Sequence, residues 1–143
     1  MNRKRLQAVL RVRSLQERGA RGELARRSQE HQRAVHAEQH TWERLEDASK
    51  DVTESGRLLA MQAVRDAGVR AAEVQHVMTD ETLQQTVVAR DEWTIAARRV
   101  EALDRLGTRL READEAEAER KQILEIDDLV LARRGREPGG ELA

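Results

Sequence analysis

The chain has 143 residues, with 26 Lys and Arg against 27 Asp and Glu, so its formal net charge is -1. Charged residues make up 37% of it, yet it has no Phe, Tyr or Cys, only two Trp and one Pro. So few aromatics cannot fill a three-dimensional core, which argues against a compact α/β enzyme, a sandwich or a barrel; the lack of Cys removes disulfides, thiolate metal sites and thiol nucleophiles. Long charged helices remain as the matching class.

Residues 3–66 contain no Pro and read as a first helix. One apolar row, Leu10, Leu24, Leu45, Val52 and Leu59, advances in steps of seven or fourteen, interrupted by Glu17, His31 and Glu38. Val35 and Trp42 form a companion row. Sevenfold spacing stays buried only when the helix supercoils about a partner. Asp66-Ala67-Gly68-Val69 then reads as a break, with the turn at 67–69, because Gly tolerates the left-handed conformation that ends many helices. Gly56, after Ser55, is a second candidate for the break.

Residues 70–134 read as a second helix. Its stripe runs Trp93, Ala96, Val100, Leu103, Leu106, Leu110 and Ala113, then Leu124 and Leu131, in the three-and-four steps of a coiled-coil seam. The Gly- and Pro-containing residues 135–143 are expected to stop the helix and to be a disordered tail. No strand signal is present. No stretch approaches the ~18 apolar residues of a membrane span. The basic start is followed by no apolar signal region, so a cytoplasmic address is expected.

The expected architecture is all-α: one coiled-coil domain over 1–143, a long antiparallel two-helix hairpin. A turn near Gly68 sets facing residues whose numbers total roughly 135. In that register Trp42 meets Trp93, Val35 meets Val100, Val52 meets Leu83, Leu24 falls by Leu110, Leu10 by Leu124 and Leu6 by Val130. Leu45, Leu103 and Leu106 complete the expected core. Gly19 falls by Ala116, Gly22 by Ala113 and Gly107 by Ser28. Close helix approach then accounts for glycines that otherwise cost up to ~1 kcal/mol each inside a helix. Charge agrees: residues 1–27 carry nine basic and two acidic side chains, residues 112–128 eight acidic and two basic, and the register lays them side by side. A two-helix hairpin buries little of its surface, so a free monomer is expected to be marginal and to gain stability from partners or self-association.

Little in the sequence points to chemistry. His36 and His40 share a helix face and have metal-ligand spacing, but the partner face supplies no further ligand, and solvated histidines are the simpler reading. Carboxylate pairs such as Glu115 and Glu119 lack the desolvated pocket that acid–base catalysis needs. No glycine loop for phosphate is present. No catalytic, cofactor or metal site is therefore expected. The basic stretch from Arg3 to Arg27 raises nucleic-acid binding, yet it carries no aromatics for stacking and faces an acidic neighbour. In the expected register Arg3, Lys4, Arg5, Arg133, Arg134 and Arg136 gather where the two termini meet, a basic end suited to an acidic partner surface. Trp42 and Trp93 read as a packed layer midway along the hairpin.

Arg5-Leu6-Gln7-Ala8-Val9-Leu10-Arg11-Val12-Arg13, followed by Glu17 and Leu24, resembles the opening of the flagellar FliJ family of type III export proteins. Val100-Glu101-Ala102-Leu103-Asp104-Arg105-Leu106, continuing through Glu119-Arg120-Lys121-Gln122 to Glu125-Ile126-Asp127-Asp128-Leu129, resembles that family's second signature. Here Gly107 and the acidic run from Glu112 replace basic residues usual at that place. The resemblance implies a non-enzymatic coiled-coil stalk, peripheral to the membrane export apparatus. It implies insertion of the end bearing both termini into the hexameric export ATPase, contact with the export gate, and handling of export chaperones, with no small-molecule substrate. Two alternatives stay open on the residues alone: a generic coiled-coil spacer or oligomerisation protein, and a basic, nucleic-acid-associated coiled coil.

Overall fold

The computed structural model describes residues 2–50 and 55–136, with the side chains of 49, 50, 55 and 56 excepted. They form two α-helices, α1 (Arg3–Lys50) and α2 (Ser55–Arg134), with no strand among the described residues. Asn2 starts α1 as its cap: its side-chain Oδ1 accepts from the Lys4 N–H at 3.3 Å and its carbonyl accepts from Leu6 N–H at 3.0 Å. At the other end, Arg133 and Arg134 occupy the last turn of α2, where cations offset the helix dipole. The Gly135 N–H closes that turn on the Leu131 carbonyl at 3.0 Å.

The chain packs as two compact units, residues 11–100 and residues 1–10 together with 101–143. In the first, α1 and α2 run antiparallel along one seam. On α1 the seam is Arg13, Glu17, Ala20, Leu24, Arg27, His31, Ala34, Glu38, Thr41 and Leu45; on α2 it is Gly68, Ala72, Gln75, Thr79, Thr82, Thr86, Ala89, Trp93, Ala96 and Val100. All are buried or half-buried, and the steps alternate between three and four, the spacing of a left-handed coiled coil. Leu45 lies against Gly68, His31 against Thr82 and Arg27 against Thr86, so facing residue numbers total 113.

In the second unit Leu6, 5% exposed, packs on α2 where a β-carbon at Gly107 would stand 3.5 Å from its Cδ2. Leu6, Leu10, Leu103 and Gly107 floor a shallow cleft rimmed by Arg3 and Arg111. Half-buried Leu110 is the last residue of α2 with a packed face, and every described residue from Arg111 onward is exposed.

These facts correct the expected register. The first helix ends at Lys50, not at residue 66, and the expected turn at 67–69 lies inside α2. Facing numbers total 113 instead of about 135, a displacement of roughly six helical turns. The expected register matched large apolar residues, small residues and charge, and left the Thr and Gln of α2 out of the pairing. The seam instead places Thr, Gln and Ala of α2 opposite His, Glu and Ala of α1, and a hydrogen-bonded polar pair can hold a register as an apolar one does. Gly68 is not a turn residue, and no described residue has a positive φ. It is a place where α1 comes close, because a β-carbon there would overlap the Leu45 side chain.

The expected core changes accordingly. Leu6 is buried, and Leu10, Leu24, Val35, Leu45, Trp93, Val100, Leu103 and Leu110 are half-buried, but with partners other than those expected. Trp42, Leu83 and Leu106 are exposed, because each lies one residue off a seam position and a helix turns by about 100° per residue. Leu124 and Val130 are exposed because no part of α1 reaches them. Val52 and the tail from residue 137 lie outside the described residues. Gly19 and Gly22, expected at a close helix contact, have nothing within 4 Å of an added β-carbon.

Candidate interaction surfaces

The seam of the 11–100 unit is more polar than a coiled-coil core usually is. Glu17, 8% exposed, accepts from Trp93 Nε1–H at 2.8 Å and from Arg21 Nη2–H at 2.6 Å. The Trp93 bond, then Arg21, holds its carboxyl below the ordinary range, against the opposing effect of desolvation. The Thr86 hydroxyl lies 2.8 Å from the Thr82 carbonyl and 3.2 Å from the Arg27 carbonyl across the seam. Arg27 Nη1–H donates to Gln85 at 2.7 Å, the Thr41 hydroxyl to Gln75 at 3.1 Å, and His31 Nδ1 stands 3.2 Å from Thr82 Oγ1. Further along the seam towards Leu45, His76 Nδ1 sits 2.9 Å from Glu38 Oε1 and its Nε2 3.5 Å from Asp80. The Glu38 hydrogen bond and then the Asp80 charge raise the His76 pKa. Bonds from Thr79 and His76 lower that of Glu38. Among the described residues no buried side-chain polar atom lacks a partner. These groups are spent on pairing the two helices.

The expected basic end does not assemble. Arg3 pairs with Asp114 at 3.2 Å. Arg133 lies nineteen residues further along α2, roughly 29 Å at 1.5 Å per residue. Arg3, Lys4 and Arg5 therefore form one basic patch, and Arg133, Arg134 and Arg136 another, with the acidic stretch of α2 between them. The cause is the register: moving the α1 start towards lower numbers on α2 leaves the C-terminal part of α2 uncovered. Trp42 and Trp93 do not form a layer either. Trp93 is in the seam, whereas Trp42 is 47% exposed beside Val77 and Glu73. His36, His40, Glu115 and Glu119 are all exposed. Among the described residues no three His, Asp or Glu converge as a metal site would need.

What the molecule does present is helix surface. Apart from the Arg3–Asp114 pair, α2 from Arg111 to Arg134 is exposed, and it carries Ile123, Leu124, Ile126, Leu129, Val130 and Leu131 at 46–70% exposure. Ile123, Ile126 and Val130 follow one another at three and four residues and so share a face. α1 has an outer face as well: Val12, Leu15, Gly19 and Gly22 repeat at the same spacing, all exposed, on the side away from Glu17 and Leu24. No helix among the described residues is long and apolar enough to cross a membrane.

No protein-family model, curated protein or solved structure matches this chain.

The sequence reading missed two features. The polar seam has a readable signal, since Gln75, Thr79, Thr82 and Thr86 keep the three-and-four step that the apolar residues break. The bare end of α2 follows from the register alone, and no residue type announces it.

Proposed function

We propose that this chain is a non-enzymatic component of flagellar type III export, a helical stalk coupling the export ATPase ring to the export gate and handling export chaperones, cytoplasmic and peripheral to the membrane apparatus. The two sequence segments that resemble the FliJ family, at residues 5–13 and 100–129, support the reading. The observation that carries it is the bare α2 segment 111–134. A helical segment that exposes Ile123, Leu124, Ile126, Leu129, Val130 and Leu131, with arginines at its tip, suits insertion into a protein ring better than a life in water. Neither a small-molecule substrate nor nucleic acid belongs to this reading.

The test is recovery of partners with the tagged full chain from its source organism, followed by ATPase assays with the purified export ATPase. Co-purification of the ATPase and a gate component, with stimulated hydrolysis, is expected. Reversal of Arg133, Arg134 and Arg136 to Glu is expected to weaken ATPase binding, and unchanged binding would sink the assigned contact. The exposed apolar residues also favour a second reading, a coiled-coil oligomerisation module. That reading requires self-association and no effect on any ATPase.

A further inference from the structure

We infer that the bare face of α2 is an interface for a second copy of this chain, and that its occupant is the outer face of the partner copy's α1. The inference stands on helix geometry and charge, and a second copy would occupy the same α2 segment that the export reading places in the ATPase ring.

The first observation is the mismatch between what α2 exposes and what water tolerates. Beyond the Arg3–Asp114 pair, residues 115–134 continue as a single helix exposed throughout, and a helix in water draws most of its stability from packing an apolar face. Ile123, Ile126 and Val130 make such a face, and Leu129 widens it. The second observation is charge. Residues 112–128 carry a net charge of -6, from eight acidic and two basic side chains. Two of these segments lying together would set like charges side by side. The occupant must therefore be a basic helix with an apolar or small-residue face.

The chain contains such a helix. Residues 11–27 of α1 carry six Arg against two Glu. The outer face there is Val12, Leu15, Gly19 and Gly22, and an added β-carbon at either glycine meets nothing within 4 Å. Arg11 and Arg18 flank it with no ion pair of their own among the described residues. Set antiparallel in the same three-and-four step, the two faces match in size. Leu15 meets Val130 of the other copy, Gly19 meets Ile126 and Gly22 meets Ile123. The register also brings Arg18 beside Asp127 and Arg26 beside Glu119. Ile126 and Ile123 fall on glycines, so the backbones can close, and the acidic Asp127 falls beside Arg18, while Arg11 falls by Arg134 at the edge of the contact. Gly19 and Gly22, which cost the helix stability and contact nothing in the single chain, thereby acquire a use.

The chain has no Cys, so engineered cysteines report the contact without background. Mixing Leu15→Cys chains with Val130→Cys chains is expected to give a disulfide between them under mild oxidation. Sedimentation equilibrium of the unmodified chain is expected to show association that weakens as salt screens the flanking pairs. Gly19→Gln with Gly22→Gln fills the glycine face with good helix formers that have open space in the single chain. Helicity by circular dichroism should hold or rise, while association weakens by about tenfold or more. Ile126→Ser should weaken it comparably. A chain that stays monomeric at every concentration overturns the inference. So does association unaffected by the double glycine variant. A Leu15–Val130 disulfide forming only within one doubly substituted chain assigns the face to the chain's own α1 and also overturns it. A Val130→Cys chain linking only to itself places the two α2 ends together, against the charge argument, and rejects the stated occupant.

Discussion

The seam of residues 11–100 and the α2 segment 111–134 invert the usual distribution of polarity. The seam buries Glu17 and Thr86 and half-buries His31, Thr82 and Gln75, while the segment exposes Ile123, Ile126, Leu129 and Val130. Both are tolerable for the same reason. A buried polar group is costly only when unpaired, and each of these has a partner. An exposed apolar group is costly only through the water it orders, and a second surface can relieve that. The seam is therefore complete within one chain, whereas the segment leaves its apolar side chains exposed. Polar pairs resist a slip of the helices, because every displaced Thr or Glu loses a specific partner. An apolar seam of Leu and Ala can slide by a heptad at little cost.

The sharpest way to break this contrast is to truncate one large side chain in each region. Trp93→Ala removes packing from the seam and leaves Glu17 without its indole donor. It is expected to lower unfolding free energy by about 2–3 kcal/mol, below the range for a fully enclosed Trp because this one is half-buried. Leu129→Ala, at a residue 70% exposed, should stay within about 0.5 kcal/mol. Urea unfolding followed by circular dichroism, at concentrations below those of any association, measures both. Equal losses would mean that the α2 segment is packed in the free chain.

The glycines give a smaller effect with a sign that depends on place. Gly19→Ala and Gly22→Ala enter open space and should each raise stability by up to about 1 kcal/mol through helix propensity. Gly68→Ala has the same propensity gain, but its β-carbon displaces the Leu45 side chain. It should fall short of the other two by a measurable margin, and Gly68→Val, bulkier and β-branched, should be destabilising. A Gly68→Ala gain as large as that at Gly19 would remove the close approach, and with it the register that puts Leu45 on Gly68.

These glycines also show what could be read in the sequence. All-α character was plain, because aromatic poverty, charge content and three-and-four spacing agree. The register was not. Trp42 and Trp93 invite pairing by size, but Trp42 stands one residue past Thr41, and that one residue turns it off the seam. Gly68 invites a turn, yet a glycine beside a Leu-rich helix serves equally for close approach. Composition cannot separate these uses, because both require a missing β-carbon. The lesson for the site is similar. Arg3 and Arg133 belong to one basic end only if the helices finish together, and whether they do depends on the register.

The smallest effect is the one with the clearest signature, the pairing of His76 with Glu38. Hydrogen bonding to Glu38 raises the His76 pKa above its ordinary 6.5, so its contribution is fully present below that value and is lost as pH rises through the raised one. Glu38 is lowered from 4.5 by Thr79 and His76, so its contribution is present above 4.5 and is lost as pH falls through the lowered value. The pair therefore supports the hairpin most between these limits, in mildly acidic solution. Glu38 and Asp80 are the groups that face the imidazole, and the exposed ring makes the effect small. Subtracting the Tm-against-pH curve of His76→Gln from that of the parent chain should leave a shallow maximum near pH 5 to 6 that declines towards neutrality. A flat difference would mean that the contact across the seam does not persist in solution. A difference growing towards alkaline pH would require a neutral His76 to be the favoured form, the reverse of what two flanking carboxylates impose.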